Sequence, residues 1–297
     1  MWSQDPQVVV RILGEDGQYP TFDIRRRGHL LVSSSPWVWS AVIQNPLGGD
    51  WEFGETYSLT PEEIRLHTAV SLCESNPWEN GYLFLTLKDE VWLPLTTTGP
   101  DLTGQEAMVL LEEQVHQLAL RAGSTMGPGH SQSAQYRFHT AGDQAGALLL
   151  LDAIDGGDQL LLAGLNRLLS GLRLLASGRF REEASLSLFI SMGAALEFIR
   201  QRLSSSAGNP TVEDVRSYLQ DTFPHGDQVV EFFDEMYDLR ITATHPSNRF
   251  GDFWCPPLMA GDVFDLQKSL MALYRHIILG EVPGGAEDRE EMVPEAG

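Results

Sequence analysis

The chain has 297 residues, of which 42% are hydrophobic and 21% are charged, a composition typical of a packed protein long enough for two domains. Its two cysteines are too few for a disulfide framework, and no apolar run reaches the roughly 18 residues of a membrane-spanning helix. The net charge of −21 argues against broad, sequence-independent binding of nucleic acid. Because the first residues lack a basic segment followed by an apolar one, we expect a cytoplasmic protein.

Residues 1–145 are predicted to form a mixed α+β domain, because short β-branched runs alternate there with turn residues. These runs favour strands at 7–13, 29–32 and 38–43, and a hairpin at 81–95. The sequence of this domain indicates no particular activity.

Two helices are predicted within the same domain. The first begins at Pro61, since proline is favoured at the first helical position, and it ends near Cys73. The second runs from Thr103 to about Arg121 and opens with the spacing of a capping box. Residues 122–145 are rich in Gly, Ser, Gln and His and lack periodicity, so a linker is expected there.

The sequence changes character at about residue 146. Leu-rich segments with helical periodicity continue to residue 283 and predict an all-α bundle of four to five helices. The expected helices cover 158–176, 180–203, 211–223, 227–244 and 262–279. Residues 284–297 form an acidic tail. The predicted fold class is therefore α+β, with a mixed N-terminal domain followed by a helical bundle.

The candidate chemistry lies at the end of the fourth predicted helix, where Arg240 is followed after four residues by His245. A histidine with a pKa near neutrality can transfer protons, and a guanidinium fork can hold phosphate oxygens. Five residues apart on a continuous helix, the two side chains point about 140° apart. They converge only where the helix ends, and Pro246 disfavours helical backbone at His245.

Residues 157–283 resemble the HEPN domains, helical domains of eukaryotes and prokaryotes named for their nucleotide-binding relatives. The resemblance rests on the Arg240-x4-His245 motif late in a helix, and on the stretch Gly193-Ala-Ala-Leu-Glu197 in the preceding long helix. It implies a metal-independent endoribonuclease that acts as a homodimer, with Arg240 and His245 as the catalytic pair at the dimer interface. It also loosely implies a toxin or defence setting. The sequence departs from the family at Ile241, where a polar residue is usual.

Simpler interpretations of the same residues stay open. Arg240 would pair with Glu197 and hold two helices together, while His245 would cap the helix end. The polar turn after the motif would either contact a phosphate or satisfy its own backbone. The candidate substrate-binding residues, in addition to the catalytic pair, are Arg249, Ser247, Asn248 and Asp238. Asp238 would either orient the imidazole or be solvated.

These observations predict one of two functions. In the first, the bundle dimerises and cleaves RNA through Arg240 and His245. In the second, it is a catalytically inactive dimerisation module, as the apolar Ile241 suggests, and the N-terminal domain binds a protein. No metal-ligand spacing or cofactor-binding motif is present in the sequence, so neither a metal nor a cofactor is expected.

Overall fold

A computed structural model describes residues 6–15, 22–26, 28–34, 37–44, 59–73, 89–99, 101–125, 144–176, 181–244 and 260–280. The chain divides into two compact units, residues 1–152 and 153–297. Among the described residues the first unit contains a sheet and the second is helical, which confirms the predicted α+β class. No helix in these ranges is long and apolar enough to cross a membrane.

The first unit is built on a five-stranded antiparallel sheet in the order β2-β3-β4-β1-β5. Its strands are β1 (Gln7–Glu15), β2 (Asp23–Arg26), β3 (His29–Ser34), β4 (Trp37–Gln44) and β5 (Asp89–Pro94). The first three predicted strands are confirmed. β5 pairs with β1, and residues 81–88 of the predicted hairpin lie outside the described residues.

Four helices accompany the sheet: α1 (Pro61–Cys73), α2 (Leu95–Thr98), α3 (Gln105–Thr125) and α4 (Gln144–Ala153). One face of the sheet, which includes Val10 and Trp39, packs against Leu111 and Leu118 of α3. The alternation of side chains along β1 turns Arg11 to the opposite face, where it contacts Glu63 of α1. The sheet is therefore covered on both sides, which explains why β1 is apolar along most of its length.

A buried ionic cluster joins β1, α1 and β5. The guanidinium of Arg11 donates to the carboxylates of Glu63 and Glu90, with an Nε–Oε2 distance of 2.9 Å to Glu90. Arg11 is 5% exposed and Glu63 is fully buried. Glu63 also completes a capping box, because it accepts from the backbone N–H of Thr60 while the Thr60 hydroxyl accepts from the Glu63 N–H. One carboxylate thus both begins α1 and fixes it over the sheet.

The second unit contains α5 (Gln159–Ala176), α6 (Arg181–Ala207), α7 (Val212–Thr222), α8 (Gly226–Thr244) and α9 (Ala260–Leu279). Close contact between α5 and α6 depends on glycine. A Cβ at Gly171 would lie 2.7 Å from the Leu188 side chain, and one at Gly164 would lie 2.9 Å from Ala194 Cβ and would clash with the Tyr274 hydroxyl. Each of these positions therefore admits only glycine without local movement.

Buried hydroxyl groups tie α9 to that helix pair. The Ser191 hydroxyl donates to the Gly164 carbonyl at 2.8 Å, and the Tyr274 hydroxyl donates to the Ser191 carbonyl at 2.9 Å. Burial raises the pKa of the Tyr274 phenol. The hydroxyl therefore stays neutral, and the centre of this unit is held by uncharged hydrogen bonds.

The five predicted C-terminal helices are present, with boundaries that differ by a few residues. α6 continues to Ala207, through the serines at which it was expected to end. The predicted linker 122–145 is helical at both ends, because α3 continues to Thr125 and α4 begins at Gln144; residues 126–143 lie outside the described residues.

The compact units divide after residue 152, whereas the sequence predicts that the bundle begins at 146. The apolar run that begins there belongs to α4. In the structure α4 is anchored to the sheet unit, because Gln144 hydrogen-bonds the Asp23 backbone and Arg65 donates to the Leu151 carbonyl.

Candidate functional site

Arg240 lies in the last part of α8 and contacts both its own helix and α6. Its guanidinium carbon is 5.7 Å from the centre of the Tyr237 ring, one turn earlier, a cation–π distance. On the other side is Gly193, where a Cβ would come within 3.2 Å of an Arg240 terminal nitrogen. Because Gly193 has no side chain, the guanidinium can lie directly against α6. The two stretches that carry the family resemblance are thus in contact.

Arg240 lines a partly open cavity of about 330 Å³ bordered by α6, α7 and α8. Most of the wall is apolar and comes from all three helices. The apolar residues are Leu196, Val212, Val215, Leu219, Val230 and Phe233. A cavity with apolar walls and a few charged groups is the usual form of a ligand site.

Arg200 brings a second guanidinium to this cavity from α6. It binds the Glu197 carboxylate through two hydrogen bonds of 2.7 Å each. Gln201 donates to the same carboxylate at 3.0 Å. The hydrogen bonds from Arg200, and then the one from Gln201, lower the pKa of Glu197 to about 2. Glu197 is therefore ionised at every physiological pH and orients Arg200.

Arg216 is the third arginine of the cavity and links α7 to α8. It donates to Asp234 of α8 at 2.8 and 3.1 Å, and to Glu213 of its own helix at 2.6 Å. The start of α7 is fixed by a capping box between Thr211 and Asp214. The backbone N–H of Thr211 is the main cause that lowers the pKa of the Asp214 carboxyl. Both features hold α7, and with it Arg216, in place over the cavity.

The charge of the cavity wall differs from that of its surroundings. Residues 157–283 contain 16 acidic and 11 basic residues. The wall contains three arginines and two acids, Glu197 and Asp234. Counted with Glu213, which also binds Arg216, three carboxylates balance the three arginines, so this position is less acidic than the rest of the unit.

Of the residues predicted from sequence, the structure places Arg240 and Glu197 at the same cavity. His245, Ser247, Asn248 and Arg249 lie outside the described residues. The described part of α8 ends at Thr244, so the predicted convergence of His245 with Arg240 stays a prediction. Asp238 is exposed; two residues before Arg240, it points to a different side of α8.

Three residues of the cavity wall were not predicted from the sequence: Arg216, Asp234 and Tyr237. Tyr237 and Arg240 are three residues apart, a spacing that places two side chains on one helix face, so this contact was readable from sequence. The pairing of Arg216 with Asp234 joins two helices, and no local pattern identifies such a pair. The cavity itself depends on how α6, α7 and α8 pack.

Comparisons with known proteins add no relative: no protein-family model, curated protein or solved structure matches the chain. Within the described ranges, no group of three or more His, Cys, Asp or Glu residues is arranged to hold a metal ion. The function is therefore inferred from the residues of the cavity and from the Arg240-x4-His245 motif of the sequence.

Proposed function

We propose that the helical unit is a metal-independent endoribonuclease of the HEPN type, with Arg240 and His245 as its catalytic pair. The observation that carries the proposal is the position of Arg240. Its guanidinium lines a cavity shared with Arg200 and Arg216, and His245 follows it five residues later in the sequence. An RNA phosphate needs this kind of cationic site, and the neighbouring histidine supplies proton transfer.

The reaction that suits these groups is attack of a ribose 2′-hydroxyl on the adjacent phosphorus, with departure of the 5′-oxygen. Arg240 stabilises the charge that develops on the phosphoryl oxygens, because a guanidinium stays protonated throughout the physiological range. His245 exchanges a proton with the attacking or the leaving oxygen. A second protomer would supply another such pair, so one histidine could act as base and the other as acid.

Exposed apolar side chains beside Arg240 support a homodimer. Tyr237 is 48% exposed, Ile241 is 47% exposed and Val212 is 67% exposed. Tyr237 and Val212 border the cavity, and Ile241 follows Arg240 directly. Large apolar groups clustered around a site are typical of a surface that another chain covers.

A second candidate function is a catalytically inactive dimerisation module in a cytoplasmic protein, whose N-terminal unit binds a protein. It is favoured by the exposed Ile241, which stands where related domains usually have a polar residue. It is also favoured by the carboxylates that already bind Arg200 and Arg216. This candidate predicts the same dimer and no cleavage.

The deciding experiment is cleavage of short labelled RNAs in the presence of EDTA. We expect cleavage by the unmodified protein and a loss of about 10²–10³-fold in Arg240→Ala, the usual effect of removing one group that stabilises transition-state charge. His245→Ala should lose activity as well. Arg202→Ala is the matched control, because Arg202 lies on α6, packs over the Phe198 ring and is not part of the cavity wall.

RNA cleavage, measured together with the molar mass in solution, separates the two candidates. A dimer that cleaves RNA, and stops cleaving in Arg240→Ala without dissociating, supports the nuclease. A dimer without cleavage supports the inactive module. Cleavage by Arg240→Ala at the rate of the Arg202→Ala control would contradict a catalytic role for Arg240.

A further inference from the structure

The cavity beside Arg240 has more space and more apolar wall than the binding of a phosphate requires. A phosphate needs only the guanidinium, whereas this cavity continues between three helices for about 330 Å³ and is walled largely by aliphatic and aromatic side chains. We propose that it receives one unstacked nucleobase of a single-stranded RNA, next to the phosphate that Arg240 holds. This inference rests on the proposed function and adds to it a substrate class, RNA with accessible bases.

The wall chemistry suits a flat, largely apolar ring. Leu196, Val215 and Phe233 line the cavity from α6, α7 and α8, so a base in it would meet apolar side chains from all three helices. The volume is at the lower end of the range of about 300–1,000 Å³ for small-molecule sites. It is therefore suited to a single base with its sugar rather than to a longer segment.

The mouth of the cavity suits the attached phosphate and the next base. Tyr237 is half-exposed there, and its ring lies 5.7 Å from the Arg240 guanidinium carbon. Aromatic rings and guanidinium planes are the groups on which proteins stack unpaired bases. Tyr237 can therefore stack on a base while Arg240 binds the neighbouring phosphate, in the order in which the two groups follow each other along a single strand.

The charged groups of the wall distinguish it from a site for a purely apolar ligand. Three arginines line it, of which Arg200 and Arg216 are held by carboxylates, in a unit with an excess of acids. The two carboxylates, Glu197 and Asp234, already accept hydrogen bonds from Arg200 and Arg216, and a carboxylate has about four lone-pair sites, so each can accept a further N–H donor. Since the edges of nucleobases carry N–H donors, the wall offers partners for the polar edge as well as for the ring faces.

The test fills the cavity at an exposed position. Val212 is 67% exposed at the start of α7 and lines the cavity, so Val212→Trp adds bulk there without disturbing the buried core. Val109→Trp is the matched control, because Val109 is 60% exposed on α3 of the other unit. Binding is measured by fluorescence anisotropy with the full-length protein. The probe is a short 2′-fluoro-substituted RNA, which lacks the attacking hydroxyl and stays intact.

We expect Val212→Trp to weaken binding of this RNA by about 5- to 150-fold, the loss equivalent to one base–aromatic stack. Val109→Trp should bind as the unmodified protein does. A ribose-phosphate oligomer of the same length without bases should bind more weakly to the unmodified protein, and Val212→Trp should not weaken it further.

Equal binding of the RNA by Val212→Trp and Val109→Trp would overturn the base site; if the unmodified protein still cleaved RNA, the proposed nuclease would stand. A change of molar mass in Val212→Trp with unchanged RNA affinity would also overturn it and would make the cavity part of a protein interface. If the unmodified protein neither bound nor cleaved RNA, the proposed function itself would fail, and the base site with it.

Discussion

Arg11 and Arg240 show how differently the two units use the same side chain. Arg11 is enclosed between the sheet and α1, with its guanidinium bound to Glu63 and Glu90. Arg240 lies at the edge of a cavity, against a tyrosine ring and a glycine. The helical unit secures its centre with glycine contacts and neutral hydroxyls instead. The two arginines thus differ in their surroundings. Arg11 fills an enclosed space between elements of the fold, whereas Arg240 borders a cavity in which a ligand can bind.

The largest loss of stability is expected when the buried carboxylate of Glu63 loses its cationic partner. Arg11→Ala should lower the free energy of unfolding by about 3–5 kcal/mol, because it leaves the Glu63 carboxylate buried without its cation. Urea unfolding followed by tryptophan fluorescence measures this unit, since six of the seven tryptophans precede residue 153. The control is Arg25→Ala, whose ion pair with Asp23 is exposed and should contribute less than about 1 kcal/mol.

A second variant identifies the cause of that loss. Arg11→Ala combined with Glu63→Gln keeps an acceptor for the α1 cap but removes the buried charge, so it should recover part of the stability. If the double variant were as unstable as the sum of the two single variants, an unpaired charge would not explain the effect.

The next largest effect is expected at the glycine contact of the helical unit. Gly164→Ala places a methyl group against the Tyr274 hydroxyl and Ala194. The strain, about 1–3 kcal/mol, exceeds the 0.5–1 kcal/mol that alanine contributes to helix stability. Circular dichroism during urea unfolding checks this, with the exposed Ala163→Leu on the same helix as control. Tyr274→Phe should relieve part of the strain; if it adds to the loss in full, the hydroxyl contact is not the cause.

A smaller change is expected at Arg240. Arg240→Ala should alter the free energy of unfolding by about 1 kcal/mol or less, because the side chain is half-buried at a cavity mouth. The measurement is the same urea titration, made on the protein used for the RNA assay. A loss as large as that of Arg11→Ala would show that Arg240 holds α8 on α6, and would favour the simpler interpretation of the motif.

The sequence predicted much of the fold because its signals are local. Pro61 after Thr60 marks the start of α1, and Leu-rich periodicity marks α5 and α6. Arg11, by contrast, is one charged residue in an apolar run. Its two partners are 52 and 79 residues away, so no local pattern reveals the cluster.

The candidate site likewise contains residues that local sequence patterns identify and residues that only the packing of helices brings together. Arg240 was identified from its spacing to His245, and Tyr237 was identifiable from its spacing to Arg240. Arg216 and the apolar wall were not predictable, because they are brought together only by the packing of α7 against α6 and α8. Gly193 was noted for its family resemblance, but its physical role, room for a guanidinium, is visible only in three dimensions.

The smallest effect is expected at the ion pair on the cavity rim, and it depends on pH. The hydrogen bonds from Arg200 and Gln201 lower the pKa of Glu197 from 4.5 to about 2. A carboxyl with a depressed pKa stabilises the folded state above its unfolded pKa and loses that contribution as the pH falls through its folded pKa. The contribution of Glu197 should therefore be complete above pH 4.5 and vanish towards pH 2.

Glu197→Gln tests this contribution. Since the pair is more than one-third exposed and screened by solvent, the variant should lose only about 0.2–1 kcal/mol near neutrality. The difference from the unmodified protein should shrink between pH 4.5 and 2, and also with added salt. Glu231→Gln, an exposed position on α8, should show no such trend. A difference independent of both pH and salt would mean that Glu197 acts through packing rather than through its charge, unlike the ionic cluster around Arg11.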